Sequence, residues 1–341
     1  MKAVAYKKPL AISEAQVFSE VEVDTPIATG HDLLIEIKAI SINPVDIKMR
    51  QRTSPDNETW KILGHDAVGV VKAIGDKVQN FKVDDEVFYA GTNQRQGSYA
   101  EYQLVDERIV GLKPQSISNA EAAALPLTSL TAYEMLFDRL KIQDTKQDKP
   151  IQDKPIILVI GAAGGVGSIT VQLLKVLTEF TVIATASRSE TKAWLQEIGA
   201  DYIVDHSQPL EQQILDLNIG APHYVFSING TGRYTQAIAN LIAPRGHFGL
   251  IDDPENFIIN PFKIKSISVH WESMFTRSTF QTKDMTRQGD ILNKISKLID
   301  DQRIKTTLGQ NLGTINVEHV IQAHTMIESG HSIGKIVLEG F

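Results

Sequence analysis

The sequence predicts an α/β protein in which a doubly wound parallel sheet is combined with a second, β-rich part. Three observations support this prediction. Residues 155–168 join an apolar, β-branched run to a glycine cluster, and apolar residues at helical spacing follow it. From residue 155 onward strand and helix patterns alternate, as they do in a parallel sheet covered by helices on both faces. Before residue 126 short apolar runs are separated by polar turns, which favours a barrel or a partly open sheet.

In the first part, turn residues separate the strand patterns, and a capping-box pattern at Ser118 and Glu121 marks the start of a helix. The predicted strands cover 2–6, 18–23, 32–40, 67–74, 86–89 and 98–105, and the predicted helices cover 120–125 and 129–140. The polar, proline-bearing stretch 141–154 is predicted to be an exposed loop.

In the alternating part the same reasoning gives strands at 156–160, 181–186, 201–204, 223–228 and 246–251, and helices near 166–178, 190–198, 209–217 and 232–242. The alternation then stops. An apolar segment ending at 266–270, a helix around 284–300 and a closing strand at 334–338 follow. We expect this C-terminal part to return to the first domain.

The composition excludes several classes of function. The chain has 341 residues and a formal charge of −7, from 34 basic and 41 acidic residues, which argues against nucleic acid or an anionic membrane as a partner. It has 0 cysteines, so disulfides, thiol catalysis and thiolate metal ligands are excluded. No stretch has the pattern of a signal peptide or a membrane span, which predicts a cytoplasmic protein.

The segment 155–168 carries the first functional signal. A strand, a tight glycine turn and a helix form the pyrophosphate cradle of a dinucleotide-binding unit, because glycines allow close backbone approach and the helix N-terminus offers N–H groups. Ala162 stands where the GxGxxG pattern has its first glycine, and Gly164 and Gly167 hold the other two positions. The residues predicted to bind the cofactor here are Ala163, Gly164, Gly165, Val166 and Gly167.

The residues after the second strand of this part indicate which cofactor binds. An acidic residue there would bind the ribose 2′-hydroxyl of NAD, whereas a basic residue accepts the 2′-phosphate of NADP. The strand at 181–186 is followed by Ser187 and Arg188, with no acid until Glu190. Lys192 lies one helical turn after Arg188. This pattern favours NADP(H), although Arg188 and Lys192 are also interpretable as solvated charges at a helix start.

Several motifs occur together in an order that resembles one family. They are 43–48, 64–66, 126–134 and 161–167, supported by 198–206 and 270–275. The chain resembles the quinone oxidoreductase branch of the medium-chain dehydrogenase/reductase superfamily and, within it, the group called zinc-type alcohol dehydrogenase-like. The resemblance covers essentially the whole chain.

The resemblance implies a discontinuous, chaperonin-10-like catalytic domain over 1–125 and 266–341 and a Rossmann domain over 126–265, with the active site in the cleft between them. It also implies reduction of a small hydrophobic quinone or enone with NADPH, by a homodimer.

The resemblance also raises the question of zinc. Zinc-dependent members use a cysteine, a histidine and usually a second cysteine. Here Asn43 takes the first position, His65 keeps the histidine, and the third position falls near Pro126 and Leu127. The structural zinc lobe is replaced by the short loop 89–97. Because catalytic zinc needs three protein ligands, we expect no zinc. A substitute site from His65, Asp66 and Asp46 is the alternative.

Without a Lewis acid, hydride transfer would depend on orienting the nicotinamide against an electron-poor acceptor. Asn43, Asp46 and His65 are the candidate catalytic residues, and Asn43 is also a candidate ligand of the nicotinamide ribose. Their alternatives are a turn residue, a capping or surface charge, and a buried histidine with its hydrogen bonds satisfied.

Further candidates come from strand ends and from the resemblance. Thr131, His206, Asn229, Gly230, Leu250, Ile251 and Lys335 are predicted to contact the cofactor. Trp60, Tyr89, Met274 and Phe275 are predicted to line an apolar substrate pocket, with ordinary core packing as the alternative. The sequence thus predicts an NADPH-dependent, metal-independent quinone or enone reductase. The alternatives are a zinc-dependent alcohol dehydrogenase and a non-catalytic NADPH-binding regulator or structural protein.

Overall fold

A computed structural model of the chain describes residues 1–55, 59–143 and 154–341. The chain forms two compact units, which we call the β-rich unit (Met1–Leu130 with Phe275–Phe341) and the parallel-sheet unit (Thr131–Met274). The sequence-based boundaries lay after residues 125 and 265. Most of the predicted loop 141–154 lies outside the described residues.

The secondary structure elements are numbered in chain order. The strands are β1 (Lys2–Tyr6), β2 (Ser19–Glu22), β3 (Asp32–Ile42), β4 (Lys61–Ile62), β5 (Asp66–Ile74), β6 (Glu86–Tyr89), β7 (Tyr102–Asp106), β8 (Val110–Leu112), β9 (Ile156–Ile160), β10 (Thr181–Thr185), β11 (Tyr202–Val204), β12 (Tyr224–Ser227), β13 (His247–Leu250), β14 (Ser268–Trp271), β15 (Leu308–Asn311) and β16 (Lys335–Glu339). The helices are α1 (Pro44–Arg52), α2 (Asn119–Ala123), α3 (Pro126–Tyr133), α4 (Gly165–Leu177), α5 (Ser189–Glu197), α6 (Leu210–Asp216), α7 (Thr231–Leu241), α8 (Thr276–Thr279), α9 (Arg287–Asp300) and α10 (Val317–Glu328).

The β-rich unit contains two sheets. A small antiparallel sheet has the order β2-β1-β4, and a seven-stranded sheet has the order β15-β16-β3-β5-β6-β8, with β7 also paired to β3. The long strand β3 lies against β16, β5 and β7, all antiparallel to it. The predicted closing strand is therefore β16, and its register places residues from both ends of the chain side by side.

The parallel-sheet unit confirms the predicted doubly wound sheet. Its strand order is β11-β10-β9-β12-β13-β14, and every neighbouring pair is parallel. This is the 3-2-1-4-5-6 order of a dinucleotide-binding fold, with its first strand β9 at the centre. All five residues of β9 are buried, as its apolar run predicts. The sixth strand, β14, was predicted only as an apolar segment.

Some elements differ from the sequence-based prediction for identifiable reasons. The helix α1 was missed because Asn43 and Pro44 suggest a turn, whereas proline fits the first position of a helix and Asn43 with Asp46 forms its capping box. The strand expected over 98–105 begins at Tyr102, because the backbone of 97–99 bonds to that of 62–64 instead. The helix expected over 129–140 starts at Pro126 and continues as a π-helical turn at Glu134–Arg139. The helix α10 had no predicted counterpart.

Within the described ranges no helix is long and apolar enough to cross a membrane.

Candidate functional site

The glycine turn after β9 has the geometry of a phosphate cradle. Gly161 adopts a positive φ of +80°, and Gly164 caps the N-terminus of α4 with extended backbone. A Cβ on Gly167 would lie 2.4 Å from the backbone of Ala162, so only glycine lets α4 pack this closely on the turn. A Cβ on Gly164 would meet nothing nearer than 3.7 Å, which leaves its backbone open on the outer side. Gly167 thus allows close packing of α4, and Gly164 leaves the backbone of the turn accessible to a ligand.

Side-chain hydrogen bonds hold this turn in place. The Gly161 N–H donates to Thr185 Oγ1 at 3.1 Å, which ties the turn to the end of β10. Trp194 Nε1 donates to Ser168 Oγ at 2.8 Å, and that hydroxyl donates to the carbonyl of Ala163. Ala163 and Gly167 are buried, whereas Gly164, Gly165 and Val166 are partly exposed. The N–H groups at the start of α4 are therefore available to an anion.

The carboxyl ends of β10 and β11 bring basic residues together. Ser187 and Arg188 follow β10 and are partly exposed, and Lys192 lies on the first turns of α5. Lys192 Nζ is 3.2 Å from Asp205 Oδ2, after β11. Hydrogen bonds from Ser207, with a contribution from Lys192, lower the pKa of Asp205 to about 2.

His206 lies within this basic group. Burial lowers the pKa of His206; Asp205 opposes the shift, and Arg233, Arg188 and Lys192 reinforce it. Arg233 is exposed on α7, lies 5.7 Å from the Tyr234 ring centroid and was not predicted as a site residue. Burial therefore disfavours the protonated imidazole of His206, and the three cations add to that effect.

Four more predicted cofactor residues of this unit lie at the carboxyl ends of β12 and β13, and a fifth, Thr131, lies in α3. Asn229 and Gly230 follow β12 and are exposed, and Gly230 adopts a positive φ of +65° at the start of α7. Leu250 is buried in the core at the end of β13, whereas Ile251 is partly exposed. Thr131 is buried in α3.

The β-rich unit holds the predicted catalytic residues in a buried cluster. His65 Nδ1 donates to Asp46 Oδ1 at 2.6 Å, and the Asn43 backbone N–H donates to Asp46 Oδ2 at 2.8 Å. Burial alone would raise the pKa of Asp46, but His65, His324 and the Asn43 N–H leave it below its ordinary value. Asp46 is thus an ionised acceptor that fixes the tautomer of His65.

Asp66 is the centre of a second part of this cluster. Its Oδ2 accepts hydrogen bonds from Ser41 Oγ at 2.6 Å and Asn43 Nδ2 at 2.9 Å, and its Oδ1 accepts one from the Leu127 N–H at 2.7 Å. Lys335 Nζ lies 3.2 Å from Oδ2. Both oxygens of this carboxylate therefore have partners within the protein, three at Oδ2 and one at Oδ1.

Tyr99 and His324 form a buried pair that belongs to the same cluster as Asp46. The Tyr99 hydroxyl is 3.1 Å from His324 Nε2, and both side chains are fully buried. Burial, then the charge and hydrogen bond of Asp46, raises the pKa of Tyr99 well above its ordinary value. Burial lowers the pKa of His324 to about 4. Tyr99, paired with His324, is therefore a further hydrogen-bond partner of the Asp46 carboxylate.

The four predicted substrate-pocket residues have different surroundings. The Phe275 ring centroid lies 4.8 Å from that of His65, so the structure brings these two together. Tyr89 is fully buried and its hydroxyl donates to Gln103 at 2.9 Å, which favours the core alternative. Trp60 lies under the Lys7 ammonium and lines a separate cavity of about 420 Å³ in the β-rich unit. Met274 is buried at the end of the parallel-sheet unit.

The donor chemistry does not fit a catalytic zinc ion. Asn43 has an amide where the zinc enzymes have a thiolate, and its oxygen accepts from Lys335. His65 is held by Asp46 through one ring nitrogen, and the Leu127 backbone N–H faces Asp66 as a donor. Within the described ranges, no group of three or more His, Asp or Glu side chains is arranged to hold a metal ion. The alternative site from His65, Asp66 and Asp46 is therefore not supported.

Sequence reasoning missed several members of these clusters. Ser41, Tyr99, His324 and Arg233 were not singled out, and Asp66 was considered only as a metal ligand. One signal was present: Ser41 directly follows the predicted strand 32–40 and lies two residues before Asn43. His324 had none, because its helix was not predicted.

Comparison with known proteins identifies the family. Residues 29–115 match the alcohol dehydrogenase GroES-like domain, and residues 165–288 match the zinc-binding dehydrogenase family. A zinc-type alcohol dehydrogenase-like protein of Staphylococcus epidermidis is 37% identical over 99% of both chains. An NADPH-dependent alkenal/one oxidoreductase of Arabidopsis thaliana is 27% identical over 99% of this chain and 79% of its own length.

A crystal structure from Rhizobium etli CFN 42, provisionally named a zinc-dependent alcohol dehydrogenase, superposes with a TM-score of 0.95 at 50% identity and covers 100% of this chain and 98% of its own. Both matched domains follow the order expected from the motifs, and the close relatives extend over the whole chain. The protein therefore belongs to the medium-chain dehydrogenase/reductase superfamily of oxidoreductases, among its zinc-type alcohol dehydrogenase-like members.

Proposed function

We propose that this protein is an NADPH-dependent reductase that transfers a hydride to a quinone or an α,β-unsaturated carbonyl compound without a metal ion. The observation that carries the proposal is the state of Asp66, whose oxygens are engaged by four groups of the protein. With Asp66 engaged and Asn43 in place of a thiolate, the cluster lacks a zinc ligand set. Chemistry without a Lewis acid requires an acceptor that is already electron-poor, whereas an unactivated alcohol requires a metal or a strong base.

The basic group at the ribose end of the sheet supports NADPH as the donor. The positive charges of Arg188, Lys192 and Arg233 all act on His206, and the first acid on α5 is Glu190. Guanidinium and ammonium groups pair with the negative charge of a 2′-phosphate, whereas a 2′-hydroxyl offers them no opposite charge. The name of the Arabidopsis relative includes both NADPH and an alkenal or enone substrate, which agrees with the proposal.

When bound, NADPH would supply a hydride to the β-carbon of the enone, and a proton would be added at the α-carbon. A quinone would likewise take up one hydride and one proton, so that both of its carbonyl oxygens become hydroxyl groups. The products are the saturated carbonyl compound or hydroquinone, and NADP⁺. Among the cluster residues, His65 is the group suited to proton transfer, because Asp46 fixes Nδ1–H and leaves Nε2 to exchange a proton. Asn43 positions this cluster through Asp66 and Lys335 rather than acting on the substrate directly.

A turnover screen tests the proposal. Purified protein is offered NADPH or NADH with a panel of quinones and enones, and NADP⁺ with a panel of alcohols, each with and without a chelator. We expect NADPH oxidation by at least one quinone or enone at a rate that the chelator does not change. Alcohol oxidation that exceeds these rates and is lost with chelator would instead indicate a zinc-dependent alcohol dehydrogenase. Tight NADPH binding without turnover would indicate a regulator or structural protein.

We further propose that the protein is a cytoplasmic homodimer. β14 is the terminal strand of the parallel sheet, and a sheet edge presents backbone groups that a second strand can pair with. Large apolar side chains are exposed beside it: Trp271 on β14 is 53% exposed, and Ile264, just before it, is 91% exposed. A second copy related by a two-fold axis would cover this surface and extend the sheet.

A further inference from the structure

The register of three neighbouring strands brings a lysine and a carboxylate together inside the β-rich unit. β16 pairs with β3 so that Ile336 lies opposite Ile42, which places Lys335 beside Asn43. On the other side of β3, Ser41 lies opposite Asp66. Lys335 is 3% exposed and Asp66 is fully buried, so the ion pair is shielded from water.

The Lys335 ammonium is surrounded by oxygen atoms. It donates to the Ile42 carbonyl at 2.9 Å and to the Asn43 side-chain oxygen, and Asp66 Oδ2 lies 3.2 Å away. An ammonium carries three N–H groups, and these three oxygens account for all of them. Lys335 therefore has no donor left for a cofactor phosphate.

The Asp66 carboxylate, which pairs with Lys335, also has its other partners within the protein. Asp66 also accepts from Ser41, Asn43 and the Leu127 N–H, so every group in this cluster has its partner inside the protein. Complete burial lowers the pKa of Lys335, and the Asp66 and Asp46 carboxylates oppose that shift. A buried carboxylate whose cation is removed is strongly unfavourable, which makes the cluster dependent on a positive charge at this point.

We propose that Lys335 is the resident cation of an oxygen-lined site formed by Ile42, Asn43 and Asp66, and that this site binds a small alkylammonium ion when the lysine side chain is removed. In a family named for zinc binding, this chain then balances its buried carboxylate with a covalently attached ammonium. The inference concerns the cluster alone and does not depend on which substrate the enzyme reduces.

The test is chemical rescue of Lys335→Ala. The substitution removes three methylenes and the ammonium, which together are the atoms of propylammonium. We expect the variant to have a lower Tm than the unmodified protein and propylammonium chloride to raise it. At a tenfold excess over Kd, binding to the folded state alone increases the folding constant about elevenfold, a rise of roughly 2–5 °C in Tm. The unmodified protein should show no such rise.

Two controls separate cation binding from general effects. At the same ionic strength, tetramethylammonium, which has no N–H donor, should not rescue Lys335→Ala, and neither should neutral 1-propanol. In the double variant Lys335→Ala with Asp66→Asn, the response to propylammonium should disappear because the charge it neutralises is gone. No rescue of a folded Lys335→Ala protein, or equal rescue of the double variant, would overturn the proposal.

A second comparison covers the case in which Lys335→Ala does not fold. Lys335→Met keeps most of the side-chain volume and removes the charge. If Asp66 needs a resident cation, Lys335→Met combined with Asp66→Asn should have a higher Tm than Lys335→Met alone. An equal or lower Tm for the double variant would refute the proposal. These readouts are Tm values, so they are independent of the enzymatic screen.

Discussion

The two glycines of the phosphate cradle should respond to alanine in opposite ways. In Gly167→Ala the new methyl group would lie 2.4 Å from the Ala162 backbone, which cannot move without shifting the turn. Overpacking of this kind costs roughly 2 kcal/mol, or a fall of roughly 4–8 °C in Tm. In Gly164→Ala the methyl group is 3.7 Å from its nearest neighbour and the φ of −76° suits alanine. The fold should then lose only about 0.5–1 kcal/mol, because alanine is a poorer N-cap than glycine.

Cofactor binding should show the converse pattern. The methyl group of Gly164→Ala would stand on the open face of the turn and keep the pyrophosphate from the N–H groups of α4. The loss of one charge-assisted hydrogen bond is worth about 1.5–3 kcal/mol, so the Kd for NADPH should rise at least about tenfold. Differential scanning fluorimetry gives Tm, and quenching of intrinsic fluorescence gives Kd. An unchanged Kd in Gly164→Ala, or an unchanged Tm in Gly167→Ala, would contradict this assignment of the two positions.

Three further predictions concern other parts of the chain. Arg188→Ala and Arg233→Ala should each weaken NADPH binding about tenfold or more and leave NADH binding within about twofold, because only the 2′-phosphate is lost as a partner; equal effects on both cofactors, measured by titration, would count against the NADPH preference. His324 is neutral in the fold with a pKa of about 4, so between pH 6.5 and 4 the unfolded chain binds a proton that the folded chain does not, and the free energy of unfolding falls by about 3 kcal/mol. His324→Gln, which keeps a donor for Tyr99, should therefore lose less Tm between pH 7 and pH 5 than the unmodified protein; a parallel loss would disprove the linkage. Trp271→Arg should convert the proposed dimer to a monomer in sedimentation velocity, and an unchanged sedimentation coefficient would exclude this edge as the interface.

The elements that could be predicted are those whose sequence pattern lies within one short segment of the chain. The run at 156–160 is uninterrupted and apolar, so its identity as the central strand needed no long-range information. β14 and β15 lacked such a signal, because they are short and mostly exposed, and their strand character comes from pairing with β13 and β16. Similarly, α1 begins with a proline whose helical role depends on the cap that Asp46 provides.

The same distinction between local and long-range signals applies to the candidate site. The glycine turn lies within one short segment, so its place between β9 and α4 was predictable, whereas its binding of a cofactor stays a prediction. The Asp66 cluster was not, because Ser41, Leu127 and Lys335 come from distant parts of the chain and meet only through strand register and backbone N–H groups. The structure brings the candidate catalytic residues Asn43, Asp46 and His65 together, and their catalytic role stays a prediction. The Asn43 side chain is hydrogen-bonded to Asp66 and Lys335, which supports the positioning role that we propose for it.

The pairing of β16 with β3 also has a consequence for the order of events during synthesis. Lys335 and Ile42, which share a hydrogen bond, are 293 residues apart in the chain. On the ribosome, Asp66 and Asn43 are therefore made long before the lysine that neutralises them, and the sheet around them is incomplete until β16 emerges. The parallel-sheet unit, continuous from Thr131 to Met274, has no such dependence and can fold first. Completion of the β-rich unit is thereby linked to the synthesis of β16, and a chain that stops before β16 would leave a buried carboxylate without its cation.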